Sequence, residues 1–172
     1  MSSHSALYRI VFVCSGNICR SPAAECVFRA RAAHAGLLER LAVESAGTHG
    51  LHEGDPPDPR SARVLRRGGY PVEGRARELR PGDFRGAGAH DLYVCMDRTH
   101  ERHVLAAGAP RERVVLLRSF EARGGGSGGS ADLPDPYYGG DEGFDDMLAM
   151  IERAMDGLLA HVEAEVTVRR ER

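Results

Sequence analysis

The 172-residue sequence contains no lysine, so all 23 of its Lys and Arg positions are arginine. That absence excludes a Walker-type phosphate loop, which needs a Gly-Lys-Ser/Thr ending. Long apolar runs are also missing. None approaches the roughly 18 residues of a membrane span. The opening "MSSHSALYRIVFVC" has neither the basic start nor the small-residue cleavage site of a secretory signal. An excess of positive charge is lacking as well: the net charge is -2, which argues against a general nucleic-acid or acidic-membrane binder. Cysteine is scarce, and Cys14, Cys19, Cys26 and Cys95 include no Cys-x2-Cys pair. Zinc-site and disulfide-framework spacings are thereby excluded, and a reducing cytoplasm is the expected compartment.

What is present fits one globular domain spanning 1–172, with 42% hydrophobic and 28% charged residues. "LYRIVFV" (7–13) reads as a parallel strand buried on both faces. Ser21-Pro22 is expected to open a helix, with Ser21 as N-cap, Ala24, Val27, Phe28 and Ala35 on the apolar stripe, and Gly36 at the end. Further strands are expected at 41–47, 90–97 and 113–120, and further helices through Ala62–Leu65 and over 98–108. Phe144, Met147, Leu148, Ile151, Met155, Leu158 and Val162 step along a long amphipathic helix. Alternating strands and helices predict a compact three-layer α/β fold with a parallel sheet flanked by helices. "RGGGSGGSAD" is a low-complexity stretch, whose 124–131 core reads as a flexible loop insertion.

Within that architecture, "VCSGNICRSP" ends the first strand in Cys14 and runs directly into a helix N-terminus. Ligands of open α/β sheets bind at the carboxyl ends of strands, and a helix N-terminus favours an anion. Gly16 and Asn17 tolerate conformations that other residues avoid. Arg20 offers a bidentate fork for phosphate oxygens. Such surroundings favour a thiolate over a thiol, so the loop presents a sulfur nucleophile at the base of an oxyanion cradle. A lone cysteine after a strand is more often a small buried hydrophobe, and Cys-x5-Arg by itself occurs by chance. The full content of the loop favours the catalytic reading.

The loop closely resembles that of the low-molecular-weight protein tyrosine phosphatases. "ESAGT" (44–48), "PPDPRS" (56–61), "YVCMD" (93–97) and "DLPDPYYGG" (132–140) match in order, so the resemblance spans nearly the whole chain. It implies a four-stranded parallel sheet with the phosphate loop after the first strand. It also implies hydrolysis through a phosphocysteine without metal or cofactor, tyrosine-phosphorylated proteins as substrates, and inorganic phosphate as product. By position, the resemblance makes Cys14 the nucleophile, Arg20 the transition-state clamp and Asp135 the general acid. Ser21 would favour the thiolate, while Asn17 and Ser45 would hold the loop formed by Ser15, Gly16, Asn17, Ile18 and Cys19. Leu51, Tyr137 and Tyr138 would rim the pocket.

The acid can also be argued from chemistry. An aryl phosphate needs a proton on its leaving oxygen, and a carboxyl group flanked by prolines and aromatics can hold one. By itself "PDPYYGG" (134–140) would read as a turn. Cys26 and Cys95 read as core, and His49 and His52 are too weak a set to claim a metal. Two departures bear on substrate preference: Leu51 stands where relatives often carry an aromatic, and Gly74 where many carry a histidine. A protein-arginine phosphatase of the same family is the alternative, although its members tend to carry threonine at the position of Ile18 and a single aromatic after Asp-Pro. A thioredoxin-coupled arsenate reductase would need further resolving cysteines.

Overall fold

The computed structural model describes residues 6–122 and 130–170. The elements follow in the order β1 (Tyr8–Cys14), α1 (Arg20–His34), β2 (Leu41–Gly47), α2 (Pro59–Arg67), β3 (Leu92–Cys95), α3 (Arg98–Ala106), β4 (Val114–Leu116) and α4 (Glu142–Arg170). The four strands form one parallel sheet in the order β2-β1-β3-β4. Of the 124–131 insertion, residues 124–129 lie outside the described residues.

β1 is central, and this explains its unbroken apolar run. Ile10, Phe12 and Cys14 face the large core with α1, α2 and α4, whereas Val11 and Val13 face a smaller one with Val104 of α3 and Phe84. Phe12 and Phe28 meet with ring centroids 5.6 Å apart and fasten α1 to the sheet. Truncating either buried ring to alanine would cost about 3–5 kcal/mol. All seven apolar positions expected along α4 are buried.

Three local expectations are corrected. α1 starts at Arg20 with Cys19 as its N-cap, and Ser21 sits inside the first turn. The Ser21 hydroxyl does not cap the helix because it is engaged by Cys14 and Asn17. Pro22, third in the helix, still forgoes only an N–H that has no intrahelical partner. Along the stripe, Ala35 is exposed and Ala32, four residues after Phe28, takes the buried position. The fourth strand ends at Leu116, where the chain tightens into a 3₁₀ turn over Leu117–Phe120. That turn directs Leu117 into the core, while the Ser119 hydroxyl donates to the Leu116 carbonyl at 2.6 Å.

The strand ends converge. Cys14 pairs in register with Gly47, and Val13 with Cys95. A Cβ on Gly47 would lie 2.5 Å from the Ser15 carbonyl oxygen, so only glycine permits this approach of β2 to the loop. Thr48 and His49 donate their amides to the carbonyls of Cys14 and Ser15 at 2.9 and 3.2 Å, tying both loop crossings together. On the other side, the Leu133 amide donates to the Met96 carbonyl at 2.8 Å, which docks the Asp135 segment beside β3.

Candidate active site

The loop from Cys14 to Arg20 turns back on itself through Asn17, whose φ of 57° is left-handed. Asparagine tolerates this conformation because its short amide bonds locally. Here the amide does more: Nδ2 donates to Ser21 Oγ at 2.8 Å and Ser45 Oγ at 2.9 Å, and Oδ1 accepts from the Arg77 amide at 3.0 Å. Ser45 donates onward to Glu25 Oε2 at 2.6 Å. A buried, fully bonded asparagine thus ties the loop to β2 and α1. One hydrogen-bond network joins Asn17, Ser21 and Ser45.

Cys14 is 3% exposed, and its Sγ lies 2.9 Å from Ser21 Oγ. Arg20 is 4% exposed. Its Nη1 donates to Asp97 Oδ2 at 2.8 Å and to the Leu133 carbonyl at 3.0 Å. Its Nη2 makes only longer contacts, 3.4 Å to Asp135 Oδ2 and 3.5 Å to both Ser15 Oγ and His100 Nε2. One nitrogen therefore fixes the guanidinium and the other remains weakly engaged on the side of the loop, where a phosphoryl oxygen would compete for it.

Cys14, Ser15, Gly16, Ile18, Cys19, Arg20, Leu51, Asp135, Tyr137 and Tyr138 line one cavity of about 510 Å³, joined by His49 and His52. Asn17, Ser21 and Ser45 stand behind it and line no part of it. Leu51 and Tyr138 are exposed at the mouth, and the Tyr137 and Tyr138 rings meet edge to face at 4.9 Å. Asp135 has 41% of its side chain exposed, and its Oδ1 accepts from the Tyr137 amide at 3.1 Å. Cys26 and Cys95 are buried, in line with their reading as core, and burial raises both thiols.

Two residues of the site escape sequence reasoning. Asp97 caps α3 and pairs with Arg20. Burial opposes its ionisation, but the amide of His100 and the Arg20 guanidinium outweigh that and hold its carboxyl below the ordinary range. His100 is 1% exposed, and its Nε2 lies 2.9 Å from Ser15 Oγ. Burial, and then the Arg20 charge, lower its pKa to about 4. The available signal was Asp97-x-x-His100 at the end of a strand adjacent to β1, a pattern that by itself reads only as helix capping.

Among the described residues, Glu44, Asp83 and His90 bring potential metal-ligating atoms together. Their groups are already engaged: Glu44 pairs with Arg9, Arg77 and His90, and Asp83 with Arg77. The cluster is an ion-pair network behind the sheet, away from the cavity.

A thiol at the end of the central strand, an arginine from the following helix and a carboxylate from a distant segment define a cysteine-dependent phosphate-ester hydrolase on a doubly wound sheet. Comparison with known proteins narrows this class. The profile described as "Low molecular weight phosphotyrosine protein phosphatase" matches residues 9–168, and the chain belongs to that family, whose members are cysteine-dependent hydrolases. A low molecular weight protein-tyrosine-phosphatase of Streptomyces coelicolor is 48% identical over 163 residues, covering 92% of this chain and 96% of that protein. The human low molecular weight phosphotyrosine protein phosphatase is 33% identical, covering 83% and 88%. Among solved structures, a protein tyrosine phosphatase of Entamoeba histolytica superposes with a TM-score of 0.81 at 32% identity, covering 91% of this chain and 97% of that one. These matches bear out the α/β fold and the family reading. The arginine phosphatase YwlE matches at 24% identity with a TM-score of 0.76, a likeness of fold alone.

Proposed function

We propose that this chain hydrolyses phosphotyrosine in proteins, with Cys14 as nucleophile, Arg20 as phosphoryl clamp and Asp135 as general acid. The observation that carries the reading is the meeting of these three residues, drawn from a strand end, a helix start and a remote segment, in one cavity. The Cys14 thiolate attacks phosphorus, and the bond to the tyrosyl oxygen breaks while Asp135 gives that oxygen its proton. The resulting phosphocysteine is attacked by water, from which the Asp135 carboxylate takes a proton. Inorganic phosphate leaves and the thiolate is restored. Arg20 and the helix start stabilise charge on the equatorial oxygens throughout. No metal or cofactor enters this sequence of steps.

A nearly buried sulfur favours an extended aryl ester over a short serine ester. The apolar Ile18, Leu51 and paired tyrosines of the cavity suit a phenyl ring better than a guanidinium. Four free cysteines support a reducing cytoplasm as the setting. The chain reads as one phosphatase domain whose substrates are tyrosine-phosphorylated proteins. The deciding experiment is turnover on matched peptides carrying phosphotyrosine, phosphoserine or phosphoarginine. Strong preference for phosphotyrosine is expected. Equal rates on phosphoserine, or faster release from phosphoarginine, would overturn this reading.

A further inference from the structure

We infer that the Ser15 hydroxyl donates a hydrogen bond to the phosphoryl group, and that His100 is the positioning residue that fixes the direction of that donation. The inference rests on the placement of the phosphoryl group between Cys14 and Arg20 given above.

The Asp97 amide points at His100 Nδ1 from 3.1 Å, so Nδ1 accepts. It carries no proton, although Asp97 Oδ1 lies 3.2 Å away, because a proton there would collide with that amide hydrogen. Burial among Asp97, Arg20 and the loop keeps the ring neutral, in agreement with its lowered pKa of about 4. A neutral imidazole with an accepting Nδ1 has its hydrogen on Nε2. Nε2 lies 2.9 Å from Ser15 Oγ, so histidine donates and serine accepts; Arg20 Nη2 is also near Nε2, but at 3.5 Å it is the weaker contact, and the closer Asp97 amide at Nδ1 decides the tautomer.

The remaining neighbour of Ser15 Oγ is Arg20 Nη2 at 3.5 Å, and a guanidinium only donates. The serine oxygen thus faces two donors, and its hydrogen is directed away from both. Ser15 lines the cavity with Cys14, Gly16 and Arg20, where a phosphoryl oxygen is the acceptor that hydrogen meets. If His100 bore its hydrogen on Nδ1, Nε2 would draw the serine hydrogen away from the substrate. The tautomer of a buried histidine that touches no substrate therefore decides whether Ser15 is a donor to it.

Inorganic phosphate is the probe, measured as a competitive inhibitor and by calorimetry, alongside kcat/KM on a phosphotyrosine peptide. Ser15→Ala should weaken phosphate binding and lower kcat/KM by about tenfold or more, the scale of one hydrogen bond to a charged group. Ser15→Thr, which keeps the hydroxyl, should restore most of both. His100→Phe should weaken phosphate binding in the parent and add little in the Ser15→Ala background; an equal loss in both backgrounds would make its role merely structural. A measurement on the parent needs no refolding variant: ¹⁵N spectra of the imidazole should show the Nε2–H tautomer at neutral pH, and an Nδ1–H ring would overturn the assignment. Parental phosphate affinity in Ser15→Ala, with Cys14→Ser inactive, would overturn this inference alone. A Cys14→Ser protein that still turned over phosphotyrosine would overturn the site on which it rests.

Discussion

Ser21 Oγ stands 2.9 Å from Cys14 Sγ and 2.8 Å from Asn17 Nδ2. The asparagine amide nitrogen only donates, so the serine oxygen accepts there and its hydrogen is available to the sulfur. The competing acceptor, the Ala46 carbonyl, is more distant at 3.5 Å. Asn17 therefore orients a hydroxyl that stabilises a sulfur anion. Ser21→Ala should lower kcat about tenfold, the scale of one charge-assisted hydrogen bond, with KM little changed. Alkylation of Cys14 by iodoacetamide at a fixed mildly acidic pH should slow in parallel. Unchanged alkylation with a raised KM would instead make Ser21 a packing residue.

The readable parts of this protein were those whose physics is local. A doubly buried strand needs an unbroken apolar run, and β1 has one. A left-handed turn needs a residue such as Asn17, and an anion site needs a loop entering a helix. Asp97 and His100 were not readable because their meeting with Arg20 depends on the pairing of Val13 with Cys95, a contact between strands far apart in sequence. The misplaced N-cap at Ser21 has a related cause. Serine before proline is an ordinary helix start, but this hydroxyl is claimed by a tertiary network. The fourth strand is shorter than its apolar run, because such a run does not distinguish a strand from a 3₁₀ turn that buries Leu117.

Redox control follows from the unlike settings of two thiols. Burial, then the charges of Asp58 and Cys14, push the Cys19 thiol well above its ordinary range, while Cys14 Sγ has the Ser21 hydroxyl 2.9 Å away. Peroxide should therefore oxidise Cys14 first, the thiolate taking one oxygen to give a sulfenic acid as hydroxide departs. If the Cys19 thiol condenses with it, water leaves and a disulfide protects the sulfur from further oxidation. Thiols should then restore activity in the parent and much less in Cys19→Ser. Equal recovery of the two after the same peroxide dose would show that Cys19 protects nothing.

The network behind the sheet should shape acid stability. The bond to His90, then the charges of Arg77, His90 and Arg9, outweigh burial and lower the Glu44 carboxyl from 4.5 to about 2. A depressed carboxyl contributes stability above its unfolded value and loses it as pH falls through the folded one. The Glu44 contribution is thus complete at neutral pH and declines between about 4.5 and 2. Denaturant unfolding should find Glu44→Gln less stable than the parent at pH 7, with the gap closing over that interval. A gap that persisted unchanged at pH 2.5 would assign the loss to packing.

The assignment of Asp135 as the acid is tested by the leaving group. Ester cleavage moves negative charge onto the departing oxygen, and a positioned proton donor relieves it, an effect worth about 10²–10⁴ in rate. Tyrosine, whose phenol has a pKa of about 10, needs that proton far more than an activated nitrophenol does. Asp135→Asn keeps a side-chain oxygen to accept from the Tyr137 amide, as Oδ1 now does at 3.1 Å, so the segment should hold its shape. The variant should slow phosphotyrosine peptides by about a hundredfold or more and nitrophenyl phosphate much less, with KM little changed for either. The nearest rival carboxylate in sequence, Asp132, has Oδ1 occupied by the Arg98 amide at 2.9 Å, tied to the start of α3. Asp132→Asn should therefore slow both substrates alike, through the loop. If Asp135→Asn gave that uniform pattern with a raised KM, and Asp132→Asn the leaving-group dependence, the proton would come from Asp132.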